Sequence, residues 1–188
     1  MKNVNQYIFG QMLLIICCLF YIVWWYRGFR PGVSVSRTGG VNGFMLMLTA
    51  LTGIAGIVLN IQGISGADGH KVAPILIVIA GVAAYILLLF ISKGLLHRIV
   101  TSELFLIVGW TMLEVIAVDS LSAGSVLTDT GYLVMCVVIA ATFVISIVLY
   151  VAYYRMEEMK AFYAAMVPLI TEAVTMGILV GIVRAGSH

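Results

Sequence analysis

A chain of 188 residues that is 63% hydrophobic and only 10% charged, with a mean hydropathy of +1.15, lies far outside the range of soluble domains. Those carry about 45–50% apolar and roughly 25% charged residues, and a globule this small has too little interior to hide the excess. The net charge of +2 provides no basic surface of the kind that nucleic acid requires, so nucleic-acid partners are set aside and the lipid bilayer is the expected surrounding.

Apolar runs near the roughly 20 residues needed for one helical crossing recur six times. They predict an all-α integral membrane protein, a single transmembrane domain over 1–188 with spans at 7–26, 41–60, 72–92, 101–121, 132–153 and 161–183. Joined by very short loops, the six helices would form three hairpins. The runs are too long and too continuous for the alternating strands of a membrane barrel.

The first span ends Leu19-Phe20-Tyr21-Ile22-Val23-Trp24-Trp25-Tyr26, without the small residues of a signal-peptide cleavage site, and reads as a retained helix. Arg27-Gly28-Phe29-Arg30-Pro31-Gly32 then interrupts it. The loop to Gly40 carries Arg27, Arg30 and Arg37 with Ser34, Ser36 and Thr38, a topology determinant with the chemistry to touch a phosphate or an anionic lipid head group. A glycine-rich loop from Gly63 to Gly69 follows the second span. Lys93 to Arg98 is a short basic connection after the third, Ser122 to Gly131 a polar one after the fourth, and Arg155 to Lys160 a charged turn before the sixth.

Lysine and arginine placement sets the expected orientation. Arg27, Arg30, Arg37, Lys93, Arg98, Arg155 and Lys160 fall on one side, against Lys2, Lys71 and Arg184 on the other. The loops 27–40, 93–100 and 154–160 are therefore expected in the cytoplasm, with both termini outside, in the cell membrane. Trp24, Trp25, Tyr26, Tyr150, Tyr153 and Tyr154 would form an aromatic belt on the cytoplasmic side.

Glu114 and Glu172 are the candidate functional residues. A carboxylate near the bilayer centre costs several kcal/mol, so it must be protonated, paired, or turned to a water-filled or protein-lined cavity. No Lys or Arg lies in the middle of any span to pair with either. Protonation or a bound cation is the remaining way to neutralise them, and both point to proton, ion or organic-cation handling. Trp110 and Thr111 lie four and three residues before Glu114 and share its helix face, and an indole beside a carboxylate suits an organic cation. Pro168 precedes Glu172 by four and frees a backbone carbonyl, while Thr171 and Thr175 add hydroxyls nearby. The structural alternative is that each Glu is a protonated residue bonded to its neighbours. Asp119, close to the outer surface, is expected to face water or cap a loop. Gly177 and Gly181 form a G-x-x-x-G on the side of the last helix away from Glu172, a helix-packing device more expected within the subunit than at a dimer seam.

Cys17, Cys18 and Cys136 form neither a disulfide framework nor a metal spacing. The three histidines lie at 70, 97 and 188, where no pair within a span can hold haem or a metal. H-E-x-x-H, G-x-S-x-G and the P-loop are absent, so no cofactor, metal site or catalytic residue is expected. The leading expectation is a small transporter or channel for a proton, cation or small solute. A non-catalytic membrane subunit or receptor of a larger complex, with homo-oligomer or partner-subunit contacts, is the second. A lipid-modifying membrane enzyme is the third; its polar groups would be expected nearer an interface than these carboxylates.

Overall fold

The computed structural model describes residues 4–32, 39–64, 69, 71–96 and 102–186. All regular structure among them is helical: α1 (Val4–Phe29), α2 (Gly40–Ile64), α3 (Pro74–Leu96), α4 (Ser102–Ala123), α5 (Asp129–Tyr153), α6 (Glu158–Ala164) and α7 (Val167–Gly186). Six of the resulting segments are long and apolar enough to cross a membrane, the last of them built from α6 and α7 together. Their outer faces remain apolar: Phe90 is 71% exposed and Leu106 66%. Water does not tolerate apolar cover on that scale, whereas lipid does.

The sixth span departs from the continuous helix expected over 161–183. It stops at Ala164, turns through Ala165 and Met166, and restarts at Val167. Pro168 has no N–H to donate and its ring crowds the preceding turn, so it is accommodated only in a helix's first turn, and that is where it stands in α7. α6 seats at the end of α1, where Trp25 stacks on Phe162 at 6.3 Å and its indole N–H donates to the Phe162 carbonyl at 3.3 Å.

α1 and α2 run antiparallel in close contact, and glycine allows the approach. A Cβ on Gly63 would lie 2.7 Å from the Tyr7 backbone, one on Gly10 2.8 Å from the Asn60 nitrogen, and one on Gly56 2.7 Å from Leu14. Cys17 closes the series by donating to the Thr49 carbonyl at 3.2 Å. α1 also packs on α7, α7 on α5, α5 on α4 and α4 on α3. α4 contributes most to the interior, with Ala117, Val118 and Leu121 packing against Met135 and Ile139 of α5 and Leu179 and Val183 of α7.

At one end of the bundle the charged side chains find partners. Both carboxylate oxygens of Asp119 accept from the Val72 backbone N–H, at 3.1 and 3.3 Å. Asp119 therefore caps a loop, and at 2% exposure it is buried, not water-facing. Beside it Lys71 pairs with Asp129 at 3.1 Å and lies over the Tyr132 ring. The α4–α5 turn places Ser125 in the left-handed region at φ 57°, with Val126 N–H reaching back to the Leu121 carbonyl at 2.9 Å, and the Thr128 hydroxyl starts α5 by accepting from Gly131 N–H.

Candidate functional site

Glu114 sits midway along α4, and Glu172 one turn beyond Pro168 in α7. Both are buried, at 5% and 9% exposure. Neither points to the apolar outside, and neither has an ion-pair partner among the described residues. The two side chains lie in one neighbourhood of the interior, with the Trp110 indole beside them.

Polar atoms are left unmatched here. Among the described residues, Gln11 Oε1, Trp110 Nε1, Glu114 Oε1 and Glu172 Oε2 are buried without a hydrogen-bond partner, as are the hydroxyls of Ser122 and Ser146. Buried polar groups in folded proteins are nearly always satisfied, and each orphan costs about 1–3 kcal/mol. Four orphans around two carboxyls mark a place that the rest of the fold does not explain.

A largely apolar cavity of about 40 Å³ lies between α1, α2, α4 and α7, lined by Leu14, Ile57, Leu113 and Met176 among others, with Gln11, Asn60, Trp110 and Glu114 at its edge; Glu172 is not part of its lining. The space suffices for about two or three occupants of water size. α1 brings Tyr7, Gln11, Leu14 and Cys18 to this side at helical spacing, and all four are buried.

The remaining sequence-predicted positions have other tasks. The Thr111 hydroxyl donates to the Ile107 carbonyl at 2.9 Å and that of Thr171 to the Pro168 carbonyl at 2.8 Å. Thr175 is bonded to the Thr171 carbonyl and, across the bundle, to Thr142 at 2.8 Å, which ties α7 to α5. Of the accompanying residues, Trp110 lies beside both acids. Gly177 and Gly181 do not pack within the subunit as expected: a Cβ on either would meet no atom within 4 Å. Arg27 and Arg30 are exposed at the end of α1, with Arg30 donating to the Tyr26 hydroxyl at 2.8 Å; Arg37 lies outside the described residues. Gln11 escaped the sequence reading, although its signal was an amide within an apolar run, four residues from Tyr7. Among the described residues, no group of three His, Cys, Asp or Glu gathers to hold a metal.

The fold and this interior together define a polytopic helical bundle with an acidic, incompletely satisfied centre. No family model matches the chain, and no curated protein or solved structure is similar to it.

Proposed function

We propose that this protein is a small membrane transporter or channel that passes a proton, a cation or a small cationic solute by way of Glu114 and Glu172. One observation carries the proposal: two carboxyls are buried at mid-span with no basic partner among the described residues, and Glu114 lines a small, largely apolar cavity. A group with only a structural role gains from being satisfied by the fold around it, while one that meets a passing ligand need not be.

The proposed setting is the cell membrane. The six spans form three antiparallel hairpins with very short loops, the basic loops after the first, third and fifth spans are cytoplasmic, and both termini are outside. Trp110 flanks the route, whereas Thr111, Thr171 and Thr175 shape the helices beside it.

Reconstituted vesicles provide the test. Glu172→Gln keeps the shape of the side chain and removes its charge; flux is expected to fall at least tenfold while folded yield is unchanged. Wild-type flux in that variant removes Glu172 from the mechanism.

A second reading, a membrane subunit of a larger assembly, draws on the unpacked Gly177–Gly181 face of α7, which a neighbouring helix would cover closely. Stoichiometric partners in gently solubilised membranes would favour it over a self-sufficient transporter.

A further inference from the structure

Two helical stripes face each other across the cavity between α1, α2, α4 and α7. α2 supplies Ile57, Ile61 and Ile64, and α4 supplies Trp110, Leu113 and Ala117, each set at the spacing of one helix face. Leu14 of α1 and Met176 of α7, at 6% and 0% exposure, line its buried side.

What the cavity offers is carbon. Gln11 spends its amide elsewhere, with Nε2 donating to the Tyr7 hydroxyl and to Asn60 Oδ1, both at 2.9 Å. Asn60 Nδ2 donates to the Gly56 carbonyl at 2.8 Å. Gln11 Oε1, Trp110 Nε1 and Glu114 Oε1 are closed to contact from the cavity. A water seated there would lack the roughly two to four polar partners it needs. A slim hydrocarbon guest, by contrast, gives the wall atoms contacts on their open side.

The opening faces lipid. Ile61 and Leu113, one from each stripe, are 51% and 44% exposed, so the cavity meets the outside between them. The stretch from Trp110 to Ala117 lies in the middle part of α4, which sets this opening at the depth of the hydrocarbon core and away from the head groups. It is continuous with the lipid-facing surface, since Leu106, 66% exposed, lies on the same face of α4 two turns before Leu113. α2 is drawn close to α1 at Gly10, Gly56 and Gly63 but meets α4 at few positions, so the seam between α2 and α4 is the less tightly closed. At about 40 Å³ the space takes the end of one unbranched chain and excludes a sterol ring or a further helix.

We infer that the seam between α2 and α4 is a lateral port that seats the end of a membrane lipid's acyl chain against Trp110 and Leu113. The occupant is a hydrocarbon chain because that is what a bilayer presents to an apolar opening at this depth. The site does not depend on the flux proposed for Glu114 and Glu172.

Trp110 reports its occupancy, since bromine on an acyl chain quenches an indole that it touches. In the full chain carrying Trp24→Phe and Trp25→Phe, Trp110 is the only one of the three tryptophans left. Its emission is compared in vesicles of phosphatidylcholine brominated near the methyl ends of the chains and in unbrominated phosphatidylcholine. Strong quenching is expected in the parent. Ile61→Phe and Leu113→Phe, which narrow the opening from exposed positions, should each reduce that quenching at least twofold. Leu106→Phe, on the same face of α4 but outside the cavity lining, should leave it unchanged. The same comparison in the protein with all its tryptophans guards against loss of folding in the Trp24→Phe, Trp25→Phe background, because the variants at the opening alter only the Trp110 share. No quenching in the parent, undiminished quenching in both Ile61→Phe and Leu113→Phe, or an equal loss in Leu106→Phe overturns the port, since Trp110 then meets only the lipid that coats any membrane helix.

Discussion

The acidic end of the bundle and its centre both bury carboxyl groups, yet they treat them in opposite ways. Asp119 at the end is 2% exposed, and each of its oxygens accepts from the Val72 N–H; the neighbouring charges of Lys71 and Asp129 meet as an ion pair. Glu114 and Glu172 in the centre are nearly as buried, but each has an oxygen without a partner and a second acid close by. Depth alone therefore says little about whether an acid serves structure or function. The matching of donors to acceptors separates the two, because a buried carboxyl whose oxygens are occupied is already explained.

The contrast should appear first as opposite signs in stability. Asp119→Ala removes the acceptor for a buried backbone N–H and is expected to cost about 1–3 kcal/mol, seen as a lower unfolding midpoint in detergent. Glu114→Met removes an acid that has an unmatched oxygen and fills its space with an apolar chain. It should leave stability unchanged or raise it by about 1 kcal/mol while abolishing flux. A Glu114→Met protein that unfolds as readily as Asp119→Ala would erase the distinction between the two regions.

Smaller effects sharpen it. Thr142→Val breaks a matched bond between α5 and α7, and interhelical bonds of this kind are worth about 0.6 kcal/mol on average, so a slight loss of stability with normal flux is expected. Lys71→Met should change the unfolding midpoint least of all, since Lys71 and Asp129 are 41% and 98% exposed and solvent screens their pairing. A drop comparable to that of Asp119→Ala would show that the whole end acts as one network.

Much of the fold was legible because a membrane span is declared by length and apolarity, which neighbours do not alter. The run expected at 132–153 is covered by Asp129–Tyr153, and that at 101–121 by Ser102–Ala123. Glu114 and Glu172 stood out for the same reason, as charges in long apolar runs. Which faces meet was not legible, because helices that are apolar all round offer no stripe to mark the inside. Gly177 and Gly181 matched a known packing spacing but are open on the outside, whereas Gly10, Gly56 and Gly63 make the close approach without matching it along one helix. Gln11 was overlooked because one amide barely lowers the hydropathy of a long run, and its importance depends on Asn60 lying opposite. The threonines were misread for a local reason: in a helix, a hydroxyl reaches its own carbonyl one turn back before it reaches anything across the bundle.

The break in the sixth span bears on how its residues fit the thickness of a bilayer. A straight helix of the 28 residues Glu158–Ala185 would measure about 42 Å, well beyond a hydrocarbon core of about 30 Å. With the turn at Ala165 and Met166, the crossing is shared between α6, whose Ala161, Phe162 and Ala164 are buried in the bundle, and α7, so that Glu172 lies at the middle of the composite segment.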